Sequence, residues 1–236
     1  MIPIRDNIPS LIKPVIGQWL LGINVVLFLG ELLLMATGQL NAFLQQFAII
    51  PAREALHFLE LLQGDFTVVP ALLFPIILAM FLHGGFAHII GNMLFLWVFG
   101  DNVEDLMGHG RFLAFYLSCW ILASAAQIAL DPTSVIPNLG ASGAIAGVLG
   151  AYLINYPKAR VQAILPLGFL FLPIQIPAMF YLGWWFVQQT LYGIGSLGVP
   201  ADMSGGIAFF AHVGGFVAGV ALFKVFAIRR SSQALF

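Results

Sequence analysis

Six separate apolar stretches, each about long enough to cross a bilayer, decide what this chain can fold into. They run over 16–36, 86–103, 111–130, 142–156, 177–193 and 207–228, and the prolines and most of the charges lie between or at the ends of them. Charged residues make up only 8% of the 236, against about 25% in a soluble domain. A chain this apolar cannot cover itself with a wetted surface. The expectation is an all-α polytopic membrane protein: six helices in one membrane domain over 16–230, with a short polar tail at 1–15 and another at 231–236.

Other classes fall away on the same grounds. A net charge of −1 leaves no basic patch to neutralise phosphates, so nucleic acid is not an expected partner. The lone cysteine, Cys119, lies mid-stretch and reads as a small core residue; it excludes an internal disulfide and disfavours a thiolate zinc site. No His-Glu-x-x-His occurs, and the His109/Asp105 pair sits beside Arg111 at a span end, so neither metal nor cofactor is expected. A basic tail before an apolar run also resembles a signal peptide, but this run is long and Met35-Ala36-Thr37-Gly38 is a poor cleavage site.

Charge placement sets the orientation. With six spans and the N-terminus inside, the inner regions hold Arg5, Lys13, Arg111, Lys158, Arg160, Lys224, Arg229 and Arg230, and the outer regions only Arg53. The stretch 68–82 is apolar but short and broken by Pro70 and Pro75; counted as a seventh span it would put Arg111, Lys158 and Arg160 on the wrong side, so it reads as a segment lying in the outer interface. The stretch 163–176 is likewise apolar and proline-broken. Spans two, four and six enter from outside, so His88 and Asn92, Ser142, and His212 reach a similar depth in the outer half.

These are costly residues in hydrocarbon and suggest a site. A serine hydroxyl becomes a nucleophile when a base takes its proton, and His212 is the only histidine in the second half of the chain. Ser142, Ala146 and Gly150 share one helical face, as do His212, Gly215 and Gly219, and facing stripes of small residues let membrane helices approach closely. His88 and Asn92, at i and i+4, leave one face of span two as hydrogen-bond donors for an oxyanion, with the Ser142 amide a third. The same spacings also suit a purely packing role for the glycines and interhelical bonding for His88 and Asn92. His83 reads as ordering the turn before span two, Glu31 as facing other helices, and Asp202 as a solvated loop residue. With no acid within a turn of His212, the base would be oriented by packing, in a dyad rather than a triad. The glycine-rich loop 193–206 is expected to cover the site and to move.

Four stretches carry a resemblance to the rhomboid intramembrane serine proteases. Gly140-Ala141-Ser142-Gly143 resembles the family's nucleophile motif, and Ala211-His212-Val213-Gly214-Gly215-Phe216-Val217-Ala218-Gly219 its histidine motif. His83 through Asn92 resembles the second-span motif, and Gly100-x-x-x-Glu104-x-x-x-Gly108 a structural motif beyond it. The resemblance implies a six-helix core with a water-filled cavity opening outward. It implies hydrolysis of a peptide bond in or near a substrate's transmembrane helix, with Ser142 as nucleophile, His212 as base, and His88 and Asn92 on the oxyanion. It gives His83, Glu104, Gly140, Gly143, Gly215 and Gly219 structural roles. Transmembrane proteins and the bilayer are the implied partners, in a bacterial or archaeal inner membrane with both termini cytoplasmic. Two positions depart from the family. Ala146 stands where an aromatic often packs on the histidine, and Arg53 lacks the tryptophan that often accompanies it. A non-catalytic rhomboid-like protein that binds membrane clients is the rival; a transporter is disfavoured because no repeated halves are visible.

Overall fold

The computed structural model describes residues 1–197 and 207–228. Asp202 and most of the glycine-rich loop, expected above to cover the site, lie outside the described residues. The helices follow the apolar stretches closely: α1 (Val15–Ala36), α5 (Phe86–Met107), α6 (His109–Leu130), α7 (Ser142–Asn155), α8 (Ala178–Ser196) and α9 (Phe209–Phe226), with α2 (Leu40–Phe47), α3 (Pro51–Leu62) and α4 (Val69–Ala79) in the first connection. Four of them, α1, α5, α6 and α9, are long and apolar enough to cross a membrane. They leave large apolar side chains exposed, among them Trp19, Val26 and Leu33 on α1 and Trp97 on α5. Such faces suit lipid and not water. The molecule is a predominantly helical, polytopic membrane protein.

Helix α7 is the hub. Eleven of its fourteen residues are buried, so it has almost no face left for solvent or lipid. It packs against α5, α6, α8 and α9, and its contact with α9 is the most intimate in the fold. The glycines explain why. A Cβ on Gly215 would collide with the Gly143 carbonyl, one on Gly219 with the Gly147 carbonyl, and one on Gly150 with the Phe216 carbonyl. Backbone therefore lies on backbone. The touching stripe on α7 is Gly143–Gly147–Gly150, one residue round from the expected Ser142–Ala146–Gly150 face. The reason is geometric: Ser142 directs its side chain to His212, so the adjacent face takes the close approach.

Two further differences are structural. The stretch 68–82 forms α4, eleven residues and about 17 Å long, with Pro70 in its first turn and Pro75 inside it. Pro70 fits there because first-turn amides lack intrahelical partners anyway. The fold is also not purely helical. Residues 160–177, read above as a broken apolar stretch, make an antiparallel hairpin of β2 (Arg160–Leu167) and β3 (Leu170–Pro177), and β1 (Ile2–Arg5), from the supposed polar tail, adds on as a third strand. Proline forbids a helix there but is tolerated at a sheet edge. Gly168 turns the hairpin at φ +62°.

The N-terminal segment ties the C-terminal ends of α5 and α7 together. Ser10 Oγ donates to Asp101 at 2.7 Å, Asn102 Nδ2 donates to the Ile8 carbonyl at 3.0 Å, and the Tyr152 hydroxyl donates to Asp6. Glu104, fully buried, accepts from the amides of Ile16 (2.9 Å) and Gly17 (2.8 Å) at the start of α1 and contacts His109 Nδ1. A carboxylate on those orphan amides is favoured by the helix dipole.

Candidate active site

Ser142 is the first residue of α7, and the loop leading to it is held by backbone. Ile49 and Asn138 exchange amide–carbonyl bonds at 3.1 and 2.7 Å, and the Gly140 amide donates to Ala79 at 2.8 Å. The first connection thus fixes the approach to the serine. Gly140 adopts φ +105°, where an L side chain is strained, and a Cβ there would stand 2.6 Å from His88 Nε2 and 3.3 Å from Asn92 Nδ2. Both donors from α5 therefore abut the backbone two residues before Ser142. Asn92 Nδ2 is buried and has no hydrogen-bond partner among the described residues, which leaves its donor capacity free for a ligand.

His212, in the first turn of α9, meets Ser142. Its Nε2 lies 2.8 Å from Ser142 Oγ. Its Nδ1 lies 2.7 Å from Gln189 Oε1 on α8. With that oxygen as acceptor, Nδ1 carries the proton and donates, which leaves Nε2 unprotonated to accept from the serine hydroxyl. Trp185, one helical turn before Gln189, sets its ring 5.8 Å from the imidazole at 35°. Gln127 Oε1 on α6 accepts from the Ala211 amide at 3.1 Å and fixes the start of α9. A cavity of about 730 Å³ is lined by His88, Asn92, Ser142, Trp185 and His212, among others.

All four residues expected to form the site come together. His83 sits behind them: its amide donates to both Glu31 carboxylate oxygens (3.0 and 2.9 Å), and its ring meets the His88 ring edge-on at 5.1 Å. Two departures find answers. Gln189 and Trp185 brace the histidine from α8, where Ala146 cannot. Arg53 anchors the first connection without a tryptophan, donating to the Gln45 (2.8 Å) and Ala48 (2.6 Å) carbonyls and pairing with Glu54. Sequence reasoning missed Gln189 and Trp185. The available signal was an amide pair, Gln188-Gln189, inside an apolar span, where polar groups are expensive.

A family model described as the Rhomboid domain matches residues 71–229. The chain belongs to the rhomboid family. It is 36% identical over 151 residues to the rhomboid protease GluP of Bacillus subtilis, covering 64% of this chain and 25% of that protein. It is 33% identical over 102 residues to presenilin-associated rhomboid-like protein A, mitochondrial, of Danio rerio, covering 42% of this chain and 25% of that one. The matched region thus spans about a quarter of these relatives.

Proposed function

We propose that the protein is an intramembrane serine endopeptidase that cleaves transmembrane proteins in or near their spanning helix. The observation that carries this reading is the 2.8 Å approach of His212 Nε2 to Ser142 Oγ, with Nδ1 occupied by Gln189. The protease names among its bacterial relatives support the same class.

The chemistry runs as acyl transfer. Ser142 Oγ attacks the scissile carbonyl carbon while His212 takes its proton. His88, Asn92 and the Ser142 amide, one of the first-turn amides without an intrahelical partner, receive the oxyanion. The imidazolium then protonates the leaving amine, the C–N bond breaks, and a water deprotonated by His212 hydrolyses the acyl-enzyme. The dyad is extended by an amide, Gln189, which holds the tautomer but cannot share a charge.

Depth follows from helix length. At fourteen residues α7 is about 21 Å long, against a hydrocarbon core of ~30 Å. With six spans and Asn155 at the inner boundary, Ser142 stands below the outer surface, and water reaches it through the cavity. The termini are then cytoplasmic and the site opens outward. Unpaired backbone is expensive in lipid, so a substrate helix with weak helix formers near the cut is preferred.

The experiment is cleavage of a labelled transmembrane substrate in liposomes by the wild type and by Ser142→Ala. Loss of cleavage with retained thermal stability supports the reading. Undiminished cleavage, or fluorophosphonate labelling at a residue other than Ser142, rejects it; binding of the substrate helix with no cleavage by the wild type favours a client-binding role.

A further inference from the structure

The β2–β3 hairpin has an apolar tip that neither the core nor the candidate site uses. From Ile164 to Ile174 every residue is apolar, proline or glycine. The base is packed: Val161 and Ala163 are buried. The tip is bare. Leu167, Leu170 and Phe171 are more than half exposed, and Phe169 is exposed completely, at 104%. β1 reaches only as far as Ile164, so about three residue pairs, or ~10 Å of ribbon, project beyond it.

We infer that this hairpin is a membrane-inserting wedge whose tip enters the acyl layer of the bilayer in which the protein's own helices stand. Four observations select lipid over a protein partner. First, Leu170 and Phe171 are neighbours on one strand and so point to opposite faces, yet both are exposed. A docked protein covers one face; hydrocarbon covers both. Second, the turn suits it. Leu167 pairs with Leu170 across Gly168-Phe169, and only the glycine has positive φ, as in a type II′ turn. The closing pair of such a hairpin is hydrogen-bonded and pairs then alternate, so Pro166 and Pro173 fall at positions whose backbone nitrogens face outward. Proline has no N–H there to strand in hydrocarbon. Third, exposed cations ring the base: Lys158 just before β2, Arg160 at its start, and Arg5, which donates to Gln162 at 2.7 Å. They match anionic headgroups, one layer above the acyl chains. Fourth, β3 leads directly into α8, whose Phe180 and Trp184 are exposed, so the tip continues a lipid-facing surface. A reach of about 10 Å equals the ~5–10 Å burial of interfacial segments.

The test uses the full chain in liposomes containing anionic lipid at high lipid-to-protein ratio. Leu170→Cys, Phe171→Cys and, at the base, Lys158→Cys are each labelled with an environment-sensitive fluorophore. The native Cys119 is fully buried, and unlabelled-variant background is read from the wild type. The expected result is blue-shifted emission at both tip positions, with quenching by nitroxide-bearing lipids at least twofold stronger than at 158 and quenching by iodide, present on both sides, correspondingly weaker. Equal iodide quenching at tip and base overturns the inference. So does protection at one of the two tip faces alone, or protection in native membranes that vanishes in liposomes of the purified protein; both point to a protein partner. These readouts are independent of catalysis.

Discussion

His212 shows how little a single residue determines alone. Its chemistry comes from what holds each ring nitrogen: Gln189 on one side, Ser142 on the other. Gln189→Ala removes the acceptor that selects the tautomer. A hydrogen bond of this kind contributes about 1 kcal/mol, so turnover should fall about fivefold with KM little changed. Gln189→Glu, which restores an acceptor, should recover part of the rate. A change confined to a rise in KM would mean that Gln189 binds substrate instead. Asn92 carries a buried donor beside Gly140 that has no partner among the described residues. Asn92→Ala should cost about 10²–10³ in kcat, the usual loss of one oxyanion donor, while the thermal midpoint stays. In the proposed role of His212 as a base, activity should fall as pH is lowered through its titration. A flat profile would reject it in that role.

At the scale of elements, the α7–α9 contact decides whether a site exists. Gly219 lies against the Gly147 carbonyl with no room for a methyl group. Gly219→Ala should force the two backbones apart, costing about 1–3 kcal/mol of stability and lengthening the Ser142–His212 approach. Stability and activity should fall together. Gly22→Ala on α1, where a Cβ meets nothing within 4 Å, is the control and should be neutral or stabilising by up to ~1 kcal/mol. Thermal midpoints in detergent measure both. If Gly219→Ala behaves like the control, the close approach is not what joins the dyad.

For the whole molecule, the N-terminal segment ties strand β1 to the C-terminal ends of α5 and α7. Asp6 is central to it. Burial, opposed by the Tyr152 hydrogen bond, pushes its carboxyl up from 3.8 to about 6. The sign follows from linkage. The folded state holds this proton more tightly than the unfolded state, so its stabilising effect is complete below about pH 4 and is lost as pH rises through about 6. The amides of residues 2–10 should therefore exchange faster at pH 7.5 than at pH 5, after correction for intrinsic rates. Asp6→Asn, which cannot ionise, should flatten that difference. Persistence of the full difference in the variant would assign it elsewhere.

The sequence by itself determined the membrane solvent, the helical stretches and the four polar residues of the site. Hydrocarbon imposes those through composition: apolar length makes a span, and a polar residue inside one needs a reason to be there. Pro166 and Pro173 made 163–176 illegible as helix, but pairing with β1, more than 150 residues earlier, was not visible. Gln189 and Trp185 were illegible too, since their role is defined by an imidazole on another helix. Only the tertiary structure decided which face of α7 meets α9. A helical period places Ser142 and Gly143 about 100° apart, and the sequence does not say which of them turns toward the partner. Packing answered it: carbonyls at Gly143 and Gly147 had to accept the bare backbone of Gly215 and Gly219, and that contact leaves Ser142 facing His212.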